Sequence, residues 1–128
     1  MNKFIKLFSP FVSFIIYLLG GLDSLIISMI CVMCIDYVSG IASAIYNKKL
    51  SSKIGIKGIM KKLAYLCAVG LTVIIDNLLG QNGLIRTMII YFFVANDGIS
   101  ILENLGEMNI NLPNKLIESL EQLKKKGE

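Results

Sequence analysis

The residues best suited to chemistry in this sequence are three aspartates that interrupt long apolar stretches. Asp36 lies in LIISMICVMCIDYVSGIASAIY, Asp76 in LAYLCAVGLTVIIDNLL and Asp97 in TMIIYFFVANDGISIL. A carboxylate in such surroundings can relay protons, pair with a cation or hydrogen-bond to a neighbouring helix. The three aspartates lie in different stretches and at different expected depths, so they indicate a catalytic acid pair only weakly.

No other catalytic or cofactor-binding pattern accompanies the aspartates. The chain has no histidine, and it has no glycine-rich phosphate loop or nucleophile motif with the required spacing. Cys31 and Cys34 have C-x-x-C spacing within an apolar stretch, and we interpret them, with Cys67, as small packing residues. We therefore expect no enzymatic activity, no metal site and no cofactor.

The composition of the chain is typical of a membrane protein. Of its 128 residues, 55% are hydrophobic and only 17% are charged, and the mean hydropathy is +0.69. Soluble domains carry roughly 25% charged residues, which keep them dispersed in water. The sequence therefore predicts an integral membrane protein rather than a very apolar soluble helical bundle.

The apolar stretches predict an all-α bundle of three to four transmembrane helices, followed by a C-terminal cytoplasmic amphipathic helix. We expect the membrane helices at residues 4–20, 22–46, 63–79 and 84–102, within a membrane domain of residues 1–106 and before a tail of residues 107–128. The first stretch is short for a hydrocarbon core of roughly 30 Å, so it either spans a thinned bilayer or lies tilted at the interface. We favour spanning. Asp23 and Ser24 are both candidate N-caps of the second helix.

Basic residues cluster between the second and third predicted helices. They are Lys48, Lys49, Lys53, Lys57, Lys61 and Lys62. The positive-inside rule places this loop and both termini in the cytoplasm, and it explains the pI near 9.0 without a nucleic-acid partner. We interpret the loop as a short element on the membrane, with its lysines toward anionic headgroups; the alternative is a plain solvated loop.

The polar residues inside the apolar stretches need partners. Asp76 and Arg86 flank the turn GQNG, and we expect an ion pair between their side chains near the outer surface. Asp36 and Asp97 belong to the cytoplasmic half. Two interpretations stay open for them, namely packing between helices of one subunit and lining of an aqueous lumen between subunits.

Two motifs in this region resemble the toxin-secretion/phage-lysis holin family of Gram-positive phages and bacteria. The first is DYVSG at residues 36–40, and the second is NDGISILENLG at residues 96–106, which precedes LPNKL and a lysine-rich tail. In that family the second segment commonly reads NEGISILEN, so Asp97 keeps the carboxylate. The resemblance extends over nearly the whole chain.

The resemblance implies a small, non-enzymatic protein that assembles with copies of itself in the lipid bilayer of the bacterial cytoplasmic membrane. Its lesions would release an endolysin or permit the export of a toxin. The candidate polar and assembly positions lie in the two motifs: Asp36, Tyr37, Gly40, Asn96, Asp97, Gly98, Glu103 and Asn104. The alternative functions are a small accessory membrane subunit that recruits a partner through its basic loop or tail, and a small transporter.

Overall fold

The computed structural model describes residues 2–128, which form five α-helices and no strand. The helices are α1 (Asn2–Leu18), α2 (Ser24–Tyr46), α3 (Ser52–Leu79), α4 (Leu84–Glu107) and α5 (Asn114–Lys126). α4 is the central helix and packs against α2, α3 and α5. Within residues 2–128, three helices (α2, α3 and α4) are long and apolar enough to cross a membrane. The predicted all-α membrane bundle is therefore confirmed.

α2 and α3 each bury one face, because most of their inward residues recur at intervals of three or four positions, whereas α4 is buried on more than one side. The centre of the bundle is apolar, and its buried residues include Ile26, Met29 and Met33 of α2, Tyr65 and Val69 of α3, and Ile90 and Phe93 of α4. Large apolar side chains also cover the outer faces of α2 and α3 and are exposed. Apolar residues on both sides of a helix are typical of a bundle surrounded by lipid.

α1 is shorter than the other apolar helices. Its 17 residues extend about 26 Å, which is slightly less than the hydrocarbon thickness of a bilayer. Most of its side chains are exposed, but Ile15 and the following Leu19 pack against the core. Spanning by this segment stays a prediction.

The basic segment is largely helical rather than a separate surface element. α3 begins at Ser52, well before the predicted start at residue 63, and the Ser51 hydroxyl accepts a hydrogen bond from the Ile54 amide at 3.3 Å. Gly55 and Gly58 lie in this first part of α3, where Tyr37 of α2 packs directly over them. Because these glycines have no side chain, Tyr37 can pack closely on the first part of α3 and hold it against α2.

Asp76 stabilises the first turn of α4. Its carboxylate accepts hydrogen bonds from the backbone amides of Ile85 at 3.0 Å and Arg86 at 2.9 Å. Amides at a helix start have no partner within the helix, so they bind a nearby carboxylate well. The predicted side-chain ion pair between Asp76 and Arg86 is therefore corrected, because Asp76 binds the backbone of Arg86 and not its guanidinium.

The Arg86 guanidinium joins the start of α4 to the link between α1 and α2. It pairs with Asp23 through two contacts of 2.7 and 3.0 Å, and its Nε donates to the Leu19 carbonyl at 2.7 Å. Gly20 leaves room for it, because an added Cβ would lie 2.6 Å from the Arg86 Nε. Asp23 also accepts from the Ile26 amide at 3.0 Å, which confirms the predicted N-cap of α2.

α5 folds back along α4. Leu120 of α5 lies against Gly98 of α4, and Gly127 lies against the backbone between Met88 and Phe92. The residues predicted as membrane domain (1–106) and as tail (107–128) are therefore in direct contact.

The Asp23–Arg86 pair predicts a specific response to acid. The hydrogen bond from Arg86 is the largest cause that holds the pKa of Asp23 below its ordinary value of 3.8. The stability that this pair contributes is therefore present above pH 3.8 and is lost as the pH falls through the lowered pKa. Since the Asp23 side chain is 46% exposed, we expect at most about 1 kcal/mol.

The measurement compares the parent protein with Asp23→Asn in detergent micelles, by titration with a denaturing detergent followed by circular dichroism. Asparagine keeps the helix cap, so the comparison isolates the charge. We expect the parent to be more stable at pH 6 and the difference to shrink as the pH falls below 3.8 and through the lowered pKa of Asp23. A difference that stays equal over this range would contradict the assignment.

Candidate functional site

Three charged side chains, one from each long helix, meet inside the bundle. Lys62 of α3 donates a hydrogen bond from Nζ to Asp97 Oδ2 of α4 at 2.8 Å, and it also donates to Asp36 Oδ2 of α2. The Asp97 side chain is completely buried, and that of Lys62 is only 13% exposed. Lys62 thus connects all three candidate membrane spans, and we refer to Asp36, Lys62 and Asp97 as the charged triad.

The second carboxylate oxygen of Asp97 has fewer polar partners than the first. Its Oδ1 accepts no hydrogen bond from any residue in the range 2–128, and the Lys61 ammonium lies 3.6 Å from it. Two carboxylates and one ammonium leave one net negative charge in the triad. Lys61 compensates for this charge from the edge of the site, where its side chain is 43% exposed.

Aromatic residues form the apolar side of the site. The Tyr65 ring stacks on Phe93 with 3.9 Å between ring centroids, and the ammonium groups of Lys61 and Lys62 both lie 5.6 Å from the Tyr65 ring centre. Asn96 donates to the Tyr65 hydroxyl at 2.8 Å. Cation–π attraction therefore helps to hold both lysines beside the carboxylates.

A row of side-chain hydrogen bonds extends from the triad toward the ends of α2 and α4. Asn104 donates to the Ser39 hydroxyl at 2.9 Å, and the Ser43 hydroxyl donates to Glu107 at 2.6 Å. Gly40 lies close to Asn104, because an added Cβ would be 3.6 Å from its amide nitrogen. This half of the α2–α4 interface is polar, whereas the other half is apolar.

A cleft of about 560 Å³ opens beside the triad between α2, α3 and α4. The residues lining it are Asp36, Tyr37, Gly40, Ile41, Ile54, Lys57, Gly58, Lys61, Lys62, Ser100 and Asn104. The cleft carries lysines on one wall and hydrogen-bonding groups on the opposite wall. Such a site can hold water or small polar groups within the thickness of the bundle.

The structure brings together most of the polar positions that the two motifs predict. Asp36, Tyr37, Gly40 and Asn104 line the cleft. Asp97 joins them through Lys62, and Asn96 contacts the neighbouring Tyr65, as described above. Two predicted positions lie elsewhere: Gly98 contacts Leu120 of α5, and Glu103 is exposed.

Lys62 is the central residue that sequence reasoning assigned wrongly. It was predicted to face lipid headgroups with the other lysines of the basic segment, but it lies inside the bundle and binds two carboxylates. The spacing held a signal, because Lys62, Tyr65, Val69, Thr72 and Asp76 follow one another at three or four positions on one face of α3. Lys48, Lys49, Lys53 and Lys57 are exposed.

The triad and the Asp23–Arg86 pair are too close together for both to lie outside a bilayer's hydrocarbon core. Along α2, Asp36 is about 20 Å from Asp23, which is near the opposite end of the bundle. A hydrocarbon core is roughly 30 Å thick, so one of the two polar clusters must be immersed in it. An unpaired aspartate at the centre of a membrane helix costs about 2.5–3.5 kcal/mol, which the pairing with Lys62 offsets.

These features define a small, all-helical integral membrane protein whose spans are connected by an internal charge cluster. A model of the bacteriophage holin family matches residues 13–125, and the chain therefore belongs to that family. The family is one of non-enzymatic membrane pores, and the protein is accordingly a holin-like protein of a bacterial cell membrane.

Curated relatives support the same assignment. An uncharacterized protein of Listeria monocytogenes is 42% identical over 100 residues, covering 78% of this chain and 71% of the relative. An uncharacterized 14.9 kDa protein from the nagH 3' region of Clostridium perfringens is 38% identical over 112 residues, 86% of this chain and 84% of the relative. A probable holin of Bacillus phage phi105 is 29% identical over 104 residues, 81% of this chain and 76% of the relative. No solved structure matches.

Replacing Lys62 by methionine should destabilise the bundle strongly. It leaves two buried carboxylates without their shared cation, and removing one partner of a buried ion pair costs about 3–5 kcal/mol. Detergent titration followed by circular dichroism measures this loss. Lys57→Met is the matched control, because Lys57 is exposed and should change stability by less than about 0.5 kcal/mol.

An all-apolar version of the triad separates charge imbalance from lost packing. The triple variant Asp36→Leu, Lys62→Met, Asp97→Leu should regain parental stability, since apolar residues of similar volume replace buried ion pairs at little or no cost. A triple variant as unstable as Lys62→Met would contradict the ionic role of the triad.

Proposed function

We propose that the protein is a holin whose copies assemble in the cytoplasmic membrane and open lesions through which an endolysin or a toxin passes. The observation that carries this proposal is the meeting of the two family-like motifs at Lys62, beside a polar cleft between three candidate spans. Family membership supports the class of activity. The triad supports a mechanism for it.

The mechanism starts from a single bundle whose two triad carboxylates are paired with lysines of the same chain. With Lys62 bound to Asp36 and Asp97, the bundle presents mainly apolar side chains on the outer faces of α2 and α3, so single copies are stable in lipid. When copies accumulate, the polar cleft of one bundle meets those of its neighbours. Water that enters the joined clefts solvates the triad, and the helices separate around a wet lumen.

The charge distribution supports a topology with both termini and the basic segment in the cytoplasm. The exposed lysines at positions 48, 49, 53 and 57 lie at one end of the bundle, near the ends of α2 and α4. The opposite end contains Gly20, Gly21 and the turn between α3 and α4. A fourth crossing by α1 completes this arrangement.

Inducible expression in a bacterium tests the function directly. Expression of the protein alone should stop growth abruptly with loss of membrane potential, as reported by a potential-sensitive dye. Co-expression with an endolysin that lacks an export signal should add rapid lysis. An intact membrane potential and unlysed cells at full expression would refute the holin assignment.

Replacing a triad carboxylate should alter the timing of lysis. Asp97→Leu removes from every copy one of the charges that water would solvate in the joined clefts. We therefore expect lysis to be delayed or abolished at equal membrane abundance. Lys53→Met is the control, because Lys53 is exposed and lies outside the cleft, and it should lyse with parental timing. Parental timing in Asp97→Leu would argue against solvation of the triad as the opening step.

A further inference from the structure

α5 lies against the middle of a candidate membrane span. A Cβ atom added at Gly98 of α4 would lie 2.6 Å from Leu120 of α5, and one added at Gly127 would lie 2.7 Å from the Met88 carbonyl and the Phe92 amide. α5 therefore runs antiparallel to α4, from the level of Gly98 to that of Met88. This range includes the centre of α4.

The surface of α4 under α5 is directed away from the charged triad. Ala95 is fully buried, although it lies two residues from Asp97 and therefore on nearly the opposite side of the helix. α2 and α3 pack around the Asp97 side. The cover over Ala95 and Gly98 is thus α5, which occupies the outside of the bundle.

The outer side of α5 is charged. The helix contains Lys115, Glu118, Glu121, Lys124, Lys125 and Lys126, and all of them except Lys124 are exposed. A charged side chain that faces acyl chains near the bilayer centre is strongly unfavourable. α5 can therefore occupy this place in a membrane only when water, rather than lipid, faces its outer side.

A second position for α5 is compatible with lipid. The link from Met108 to Pro113 is not helical, so α5 can turn away from α4 about this link. Leu116, Ile117, Leu120 and Leu123 share one face of α5, and three lysines end the helix. A basic amphipathic helix of this kind binds an anionic membrane surface.

We propose that α5 moves between two positions, the lipid surface when a single bundle is surrounded by lipid, and the α4 face when that face borders a water-filled lesion. In the second position the charged side of α5 lines the water. The inference rests on the proposed holin function and deepens it. It assigns the wall of the lesion to α4 covered by α5.

The two positions couple the docking of α5 to the presence of water beside α4. Docking of α5 requires water beside α4, so docking stabilises the wet lesion and opposes its closure by lipid. Gly98 is a point of close approach, and a larger side chain there pushes Leu120 away. The distance between residues 98 and 120 therefore distinguishes α5 docked on α4 from α5 on the lipid surface.

Cross-linking within one chain tests the movement. Cys31, Cys34 and Cys67 are replaced by alanine, and Gly98→Cys and Leu120→Cys are introduced in the full-length chain. Cells expressing this variant are treated with a short membrane-permeant thiol cross-linker before and after the loss of membrane potential. The cross-linked fraction is measured by mass spectrometry of the digested protein.

We expect little cross-linking before the loss of potential and a several-fold rise after it. A high cross-linked fraction in cells with an intact potential would overturn the inference, since α5 would then remain on α4 in a closed membrane. A low fraction at both times in permeable cells would also overturn it. If the membrane never becomes permeable, the proposed holin function fails, and the inference fails with it.

A matched glycine pair provides an independent test. Gly98→Leu should reduce several-fold the release of a large co-expressed cytoplasmic enzyme, because α5 no longer stabilises the lesion. Gly106→Leu lies on the same helix with no atom within 4 Å of an added Cβ and should behave as the parent. Equal release from both variants, at equal membrane abundance, would contradict the role of the α5 contact.

Discussion

The structure depends on the need to neutralise two carboxylates within a bundle that lipid surrounds. Asp36 and Asp97 lie on different helices and are both buried, so neither can be solvated by bulk water. One ammonium group, that of Lys62, binds both of them and thereby fixes how α2, α3 and α4 approach each other. Because an unpaired charge is so costly in a membrane, this single contact is more restrictive than the apolar packing around it.

The buried charges of the bundle are paired in two different ways. Near the middle of α2 and α4, the triad uses side chains from three helices and borders an open cleft. At the end where α4 begins, Asp76 binds backbone amides of α4, while Arg86 binds Asp23 and the Leu19 carbonyl. The second arrangement is closed and ties α1 to the turn between α3 and α4. The first borders the polar cleft and is therefore the one suited to change in the proposed assembly.

α5 adds a constraint that concerns the surroundings of the protein rather than its interior. Its apolar residues fit the surface of α4, but its charged side suits water and not acyl chains. In the proposed lesion, such a helix can place its charged side toward water. The same chain is then compatible with lipid in one arrangement and with an aqueous lumen in another.

The sequence by itself determined the membrane class, the cap at Asp23 and the carboxylates that need partners, because hydropathy and helical spacing are local properties of the chain. Its two motifs also pointed to the family that the comparison confirmed. The sequence did not reveal that Lys62 is internal, that Asp76 binds backbone while Arg86 binds Asp23, or that α5 covers α4. Tertiary structure alone decided these pairings, because a charged side chain binds whichever partner the packing of distant helices brings within hydrogen-bonding distance, and spacing along the chain does not encode that distance.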